Sequence, residues 1–210
     1  MYGLPLIEVL PIPMPFWEQV TKRILDVTVA VGVLGLGLPI WLLFGILIRA
    51  TSPGPAIYRQ RRVGRHGSHF IMLKFRTMND GAERTTGPVW AREDDPRYTP
   101  IGRWMRRKRV DEIPQFLNVL KGEMSLVGPR PERPFFVEKL SDEIPLYGRR
   151  HRVKPGITGL AQVKWKYDES LDDVRQKVKY DLFYIENMSL RMDFKILFQT
   201  LRTTLLGTGQ

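Results

Sequence analysis

Residues 27–48 contain no charged side chain. A straight helix of that length reaches ~33 Å, enough to cross the hydrocarbon core of a bilayer. The flanks argue against a simple crossing. Lys22 and Arg23 stand before the stretch, and Arg49, Arg59, Arg61, Arg62 and Arg65 follow it. Basic residues mark the cytoplasmic side of a membrane segment, and here both sides carry them. Pro39 lies near the middle, where it removes a backbone hydrogen bond and kinks a helix. Gly35 and Gly37 loosen the same place. Residues 27–38 would form a rod of about 18 Å and residues 40–48 one of about 14 Å, each reaching about mid-bilayer. These features favour a re-entrant helix bent at Leu38 and Pro39. The alternative is a kinked helix that still spans, since proline is tolerated in membranes. The stretch is no signal peptide: it begins late, lacks a basic start and has no small-residue cleavage site.

The rest of the chain is strongly basic. Net charge is +11, with 33 Lys and Arg against 22 Asp and Glu. Residues 1–48 hold Lys22 and Arg23 against Glu8, Glu18 and Asp26, a net of −1, so the remaining 162 residues carry +12. Such a body implies an anionic partner: nucleic acid, phospholipid headgroups or a phosphorylated substrate. Cysteine is absent, which excludes disulfides and thiolate metal sites. His66, His69 and His151 show no zinc spacing.

The basic run Arg106-Arg107-Lys108-Arg109 leads into Asp111-Glu112 and then Ile113-Pro114-Gln115. Neighbouring cations favour ionised carboxylates and attract phosphate. A carboxylate can itself be a covalent nucleophile. Asp111 also reads as the cap of a helix with Pro114 in its first turn, and the two readings are compatible.

Around this pair, residues 1–16 are proline-rich and read as an arm or linker, which suggests the catalytic portion of something longer. Residues 56–63 and 70–75 read as strands of a hairpin, with Lys74 and Arg76 projecting together or as two solvated edge charges. Residues 79–100 are turn-rich and are expected to form a mobile loop, with a lid as one reading of it. Ile101, Trp104 and Met105 give the next helix an apolar face suited to a membrane surface or to the core. A short apolar helix is expected to end at Gly122. In Gly128-Pro129-Arg130-Pro131 the prolines stiffen the loop, so Arg130 is presented with little entropy left to lose, as a phosphate clamp or in a structural connector. Residues 149–159 are basic and turn-rich. Two helical stripes follow: Leu171, Val174, Val178, Leu182 and Ile185, then Phe194, Leu197, Phe198, Leu201 and Leu205. Core packing is the default for both, with an interfacial anchor as the alternative for the last.

Taken together, these motifs resemble the bacterial sugar transferases, the monotopic phosphoglycosyl transferases, and most of all their larger branch of polyprenyl-phosphate hexose-1-phosphate transferases. The matching residues are Lys22-Arg23-Ile24-Leu25-Asp26, Ser52-Pro53-Gly54-Pro55, Lys74-Phe75-Arg76-Thr77-Met78, Arg106 to Gln115, Asn118-Val119-Leu120-Lys121-Gly122, Met124 to Pro131, and Arg152 to Gly159 with Ala161-Gln162-Val163. The resemblance runs from about Lys22 to Gly207. Small members have Ser-Leu where this chain has Arg109-Val110, and Asn-Gly-Arg where it has Lys164-Trp165-Lys166. The first marks the larger branch; the second leaves that loop's contacts untransferred.

The resemblance implies an α+β, mainly helical monotopic membrane protein with a re-entrant membrane helix, interfacial amphipathic helices and a small β-hairpin. Residues 1–21 would be the Pro-rich arm, 22–50 the membrane helix-break-helix and 51–210 a catalytic domain on the cytoplasmic face of the bacterial inner membrane. It implies a UDP-sugar donor, a polyprenyl (undecaprenyl) phosphate acceptor, release of UMP and a phosphosugar carried on Asp111. The product would be the first lipid-linked unit of a surface glycan or exopolysaccharide. Mg2+ is expected at Asp111 and Glu112, with Glu112 as metal or proton-handling partner. Lys74, Arg76, Arg106 and Arg130 are the expected phosphate contacts, and Leu38 and Pro39 the membrane break. No nucleic-acid motif is present, a phospholipid membrane is an expected partner, and a homodimer is compatible with the sequence.

Overall fold

The computed structural model describes residues 14–83, 87, 89, 95–165 and 170–205. Helix α1, Phe16–Leu36, and helix α2, Leu38–Thr51, meet at Gly37 with their axes bent by 64°. Among the described residues no single helix is long and apolar enough to cross a membrane; the bent pair together meets that measure. The break falls at Gly37, just before the expected Leu38 and Pro39, which instead open α2. Pro39 is comfortable in a first turn but would clash with the carbonyl four residues back in a continuous helix. The Trp41 indole folds back over the break, donating from Nε1 to the Val33 carbonyl at 2.9 Å. Its ring lies where a Cβ on Gly37 would stand, so glycine alone fits there without displacing it.

The start of α1 is docked on the body by polar contacts. Lys22 Nζ donates to Asp193 Oδ2 at 2.6 Å and to the Val127 carbonyl at 3.1 Å. Arg23 donates to the carbonyls of Val119 and Leu120 at 2.7 and 2.9 Å. Asp26, buried, accepts from the Leu126 backbone N–H at 2.9 Å. Residues 16–21, assigned to the arm from sequence, are therefore helical. Lys22 and Arg23 are committed to the protein and do not serve as a free charged flank. Beyond them the apolar residues Val31, Leu36, Leu38, Ile40, Leu42, Leu43 and Ile46 are exposed.

Strands β1, Ile57–Val63, and β2, His69–Phe75, form the expected antiparallel hairpin, with Tyr58 opposite Lys74. Phe70, Met72 and Phe75 are buried. Helix α3, Pro100–Arg107, is capped by Thr99, whose hydroxyl accepts from Gly102 N–H at 3.0 Å. Its Met105 is fully buried beside Ile48 and Phe75, so the apolar stripe of α3 packs mainly on the protein. Helix α4, Gln115–Lys121, carries the buried Asn118. That side chain donates to the Ile71 carbonyl at 2.7 Å and accepts from Leu73 N–H at 3.1 Å, completing the free edge of β2 as a third strand would. Much of the turn-rich segment expected as a lid, residues 84–86, 88 and 90–94, lies outside the described residues.

Strand β3, Ser125–Val127, pairs in parallel with β4, Gly156–Thr158, a pairing the sequence did not suggest. Just past β3, Gly128 lies directly against the backbone of residues 154–156, and Gly159 against the Gly128 carbonyl. A side chain on Gly128, Gly156 or Gly159 would collide with backbone atoms. Helices α5, Pro134–Glu143, α6, Leu160–Lys164, α7, Leu171–Glu186, and α8, Leu190–Leu205, close the body. The α7 stripe is buried through Val174, Val178 and Ile185, as expected. On α8 the stripe faces outward: Phe194, Phe198 and Leu201 are exposed, while Asp193 and Ile196 are buried. Polar contacts set the phase of this helix, because Asp193 must reach both Lys22 and the Tyr184 hydroxyl, the latter at 2.7 Å.

Candidate active site

Asp111 and Glu112 lie in a 3-10 turn, Val110–Glu112, between α3 and α4. The turn is entered through Arg109, whose φ of 55° is left-handed. Neither acid caps α4; Pro114 occupies that position without a side-chain cap bond. The cap reading of Asp111 is thereby set aside, because the intervening turn directs the carboxylates away from the helix end and into the body, where both are buried.

The two acids have opposite surroundings. Glu112 Oε1 accepts from Arg130 at 3.0 Å and Lys74 at 3.4 Å, and Arg109 stands 4.0 Å from the other oxygen. Burial alone would raise its pKa, but Arg130, Lys74 and Arg109 outweigh burial and hold the carboxyl well below the usual range. Asp111 has no hydrogen bond or ion pair among the described residues. Burial pushes it up to about 6, against the pull of Lys74 and with the Glu112 charge adding to the rise. Lys74 is itself pushed down to about 8 by burial and by Arg130, opposed by Glu112 and Asp111. One carboxylate is thus locked among cations. The other is unengaged, still mostly ionised at neutral pH, and surrounded by charges suited to an incoming phosphate.

Of the expected phosphate contacts, Lys74 and Arg130 are at the dyad. Arg106 is exposed in the last turn of α3, stacks 5.0 Å from the centre of the Tyr98 ring and acts electrostatically on Asp111. Arg76 is not part of the site. Its guanidinium donates to the carbonyls of Pro53 and Ser52, each at 2.7 Å, and of Ile48 at 3.4 Å. It therefore closes the C-terminal end of α2, where unpaired carbonyls and the helix dipole favour a cation. Strand alternation had put it beside Lys74, but β2 ends at Phe75. Leu38 and Pro39 lie at the break between α1 and α2 and not among the charges.

Arg150 was missed by sequence reading. It is buried, donating to Asp181 at 2.7 Å, to the Tyr147 hydroxyl at 2.7 Å and to the Arg130 carbonyl at 3.0 Å. It fixes the loop that presents Arg130. The basic run around residue 150 was visible, but nothing local pointed to Asp181 on α7.

No group of three or more His, Asp or Glu side chains able to hold a metal occurs among the described residues. Mg2+ commonly takes only one or two protein carboxylates, with phosphate oxygens and water completing the shell. The unengaged Asp111 carboxylate fits such a role. Glu112 fits less well, since Lys74, Arg109 and Arg130 already hold its oxygens.

Comparison with known proteins identifies the family of the chain. The profile of the bacterial sugar transferases matches residues 17–207. A UDP-N-acetylgalactosamine-undecaprenyl-phosphate N-acetylgalactosaminephosphotransferase of Aeromonas hydrophila is 44% identical over 198 residues, covering 94% of this chain and 46% of that protein. A UDP-glucose:undecaprenyl-phosphate glucose-1-phosphate transferase of Escherichia coli is 38% identical over 202 residues, covering 95% of this chain and 43% of that protein. The chain therefore spans less than half the length of these two relatives. A Caulobacter vibrioides protein named for the same glucose-1-phosphate transfer is 43% identical over 188 residues, covering 88% of this chain and 69% of its own. With nearly the whole chain matched and the acid pair set among cations, the protein belongs to the bacterial sugar transferase family.

Proposed function

We propose that this chain moves a sugar 1-phosphate from a UDP-sugar to polyprenyl phosphate through a covalent intermediate on Asp111. The observation that carries the reading is the contrast within the dyad: Asp111 unengaged, Glu112 fixed by Arg130, Lys74 and Arg109. An ionised Asp111 oxygen attacks the β-phosphorus of the donor. The bond from that phosphorus to the bridging oxygen breaks, and UMP leaves with the electron pair. The phosphate oxygen of the polyprenol then attacks the same phosphorus, the Asp111 carboxylate departs, and polyprenyl-diphospho-sugar is formed. Lys74, Arg130 and Arg106 neutralise charge on the transferring phosphoryl group, where most catalysis of this kind originates. Glu112 orients Lys74 and Arg130. A bound Mg2+ would further neutralise phosphate charge, with Asp111 as the best protein ligand. The named activities of the relatives support this reaction class, and the product fits a first membrane step of surface-glycan assembly.

The reading requires UMP release from a UDP-sugar with Mg2+ and polyprenyl phosphate, measured across UDP-hexoses and UDP-N-acetylhexosamines. No UMP from any donor in that panel would sink it.

We also propose a re-entrant membrane hairpin with the site on the cytoplasmic face of the bacterial inner membrane. With both ends on one side, arms bent by 64° each slope at half that angle, so the 14-residue α2 descends ~11 Å, within the ~15 Å hydrocarbon of one leaflet. Cysteines introduced by Phe16→Cys and by Arg65→Cys into this cysteine-free chain are expected to react with an impermeant thiol reagent from the same face. Labelling from opposite faces would establish a spanning helix.

A further inference from the structure

In the reaction proposed above, on which this inference rests, the donor's sugar is bonded through one oxygen to the phosphorus that Asp111 attacks. In a roughly in-line displacement UMP leaves on the side opposite Asp111, so the sugar oxygen lies in the equatorial plane with the two free phosphoryl oxygens. The sugar therefore stands beside a cation that neutralises that plane, and Lys74 is one such cation. We propose that Tyr58 is the surface on which the donor's sugar ring rests.

Tyr58 lies directly opposite Lys74 in the pairing of β1 with β2. Opposed residues of an antiparallel pair project from the same face, with Cβ atoms about 5 Å apart. Tyr58 therefore flanks the lysine that reaches Glu112. It is 40% exposed, whereas Met72 and Phe70 further along that face are buried. The ring is held in place. Gln60 Nε2 donates to its hydroxyl at 3.1 Å, Arg62 Nε donates to Gln60 Oε1 at 3.0 Å, and Arg62 Nη1 donates to the Pro131 carbonyl at 2.8 Å. This chain ties Tyr58 to the loop that presents Arg130. Because the hydroxyl accepts from Gln60, its own proton remains to be donated, and that proton has no acceptor among the described residues. Burial, with the Glu83 charge adding to it, raises the phenol pKa against the pull of Arg133 and Arg62, so the donor is retained at neutral pH. An aromatic face with one spare donor suits a pyranose, whose face is lined by C–H groups and whose rim carries hydroxyl or acetamido oxygens. Uracil also stacks on aromatic rings, but the ribose and a further phosphate separate it from the attacked phosphorus, on the departing side.

The test is equilibrium binding to Asp111→Asn protein, which lacks the proposed nucleophile and so leaves the donor intact. Calorimetry with the tighter of UDP-glucose and UDP-N-acetylgalactosamine is compared with UDP and with UMP. Adding Tyr58→Leu is expected to weaken the UDP-sugar about tenfold, as loss of one aromatic contact implies. UDP and UMP should bind as before, which also shows that the variant is folded. Tyr58→Phe keeps the ring and should lose only about threefold. Ile71→Ala, on the opposite face of the same hairpin, should change none of the three. An unchanged UDP-sugar Kd in Tyr58→Leu would overturn the proposal. So would equal weakening of UDP or UMP, which would put phosphate or uracil on the ring, a UDP-sugar effect from Ile71→Ala, or failure of both UDP-sugars to bind. Binding needs no turnover. A wild-type protein that releases no UMP, while Tyr58→Leu selectively weakens the UDP-sugar, would therefore refute the reaction and leave the sugar contact standing.

Discussion

Replacing Asp111 by Asn is expected to abolish UMP release while leaving the protein folded and membrane-bound. The amide matches the carboxylate in shape, and Asp111 makes no hydrogen bond or ion pair among the described residues for the change to break. On the proposed mechanism the nucleophile is lost, and removal of a residue that forms the covalent bond typically costs on the order of 10⁴-fold or more in rate. Burial raises Asp111, so exchange for a neutral side chain relieves a charged group held in poor solvation. The melting temperature should therefore stay level or rise. Mass spectrometry of wild-type protein given UDP-sugar without acceptor should show an added phosphosugar that the variant lacks. The same environment fixes the sign of a pH effect. In the proposed mechanism only the ionised carboxylate attacks, so the rate is expected to fall as pH drops through about 6, and a bound divalent cation would move that midpoint lower. Full activity in Asp111→Asn would refute the assignment.

The second large effect is expected at Asp181. Asp181→Asn leaves Arg150 buried without its counter-charge, and breaking such a pair costs about 3–5 kcal/mol, a fall in melting temperature on the order of 10 °C for a chain of this size. Arg150 also holds the Arg130 carbonyl, so the KM for UDP-sugar should rise as well. The double variant Arg150→Met with Asp181→Leu separates the two roles. Apolar replacement of both partners should recover most of the stability, whereas the KM defect should persist because the hydrogen bond from Arg150 to the Arg130 carbonyl is still missing. Recovery of both would show that Arg150 only supports the fold.

The acid pair was legible in the sequence because it is contiguous and sits in a dense basic run. The hairpin was legible from alternation, and the helix break from Pro39, to within two residues. What could not be read were groups whose role depends on a distant partner. Arg76 follows Lys74 in strand phase, yet the strand stops and the carbonyls at the end of α2 claim its guanidinium. Lys22 and Arg23 look like membrane-flank charges but are drawn in by Asp193 and by the end of α4. The α8 stripe follows helical spacing perfectly well, but Asp193 fixes which side turns inward. In each case a specific polar contact overrode a local pattern.

The glycine contact between the Arg130 loop and the segment at residues 154–159 bears on how this protein can be altered. Most loops tolerate drift because side chains between them swell, shrink or rotate to absorb it. Here main chain meets main chain, with less than a methyl group of clearance. The joint is a fixed datum: it has no adjustable part, and any error in it passes undiminished to the arginine beyond. Efforts to widen the range of accepted donors should vary surfaces that can yield and leave this joint as the reference from which they are measured.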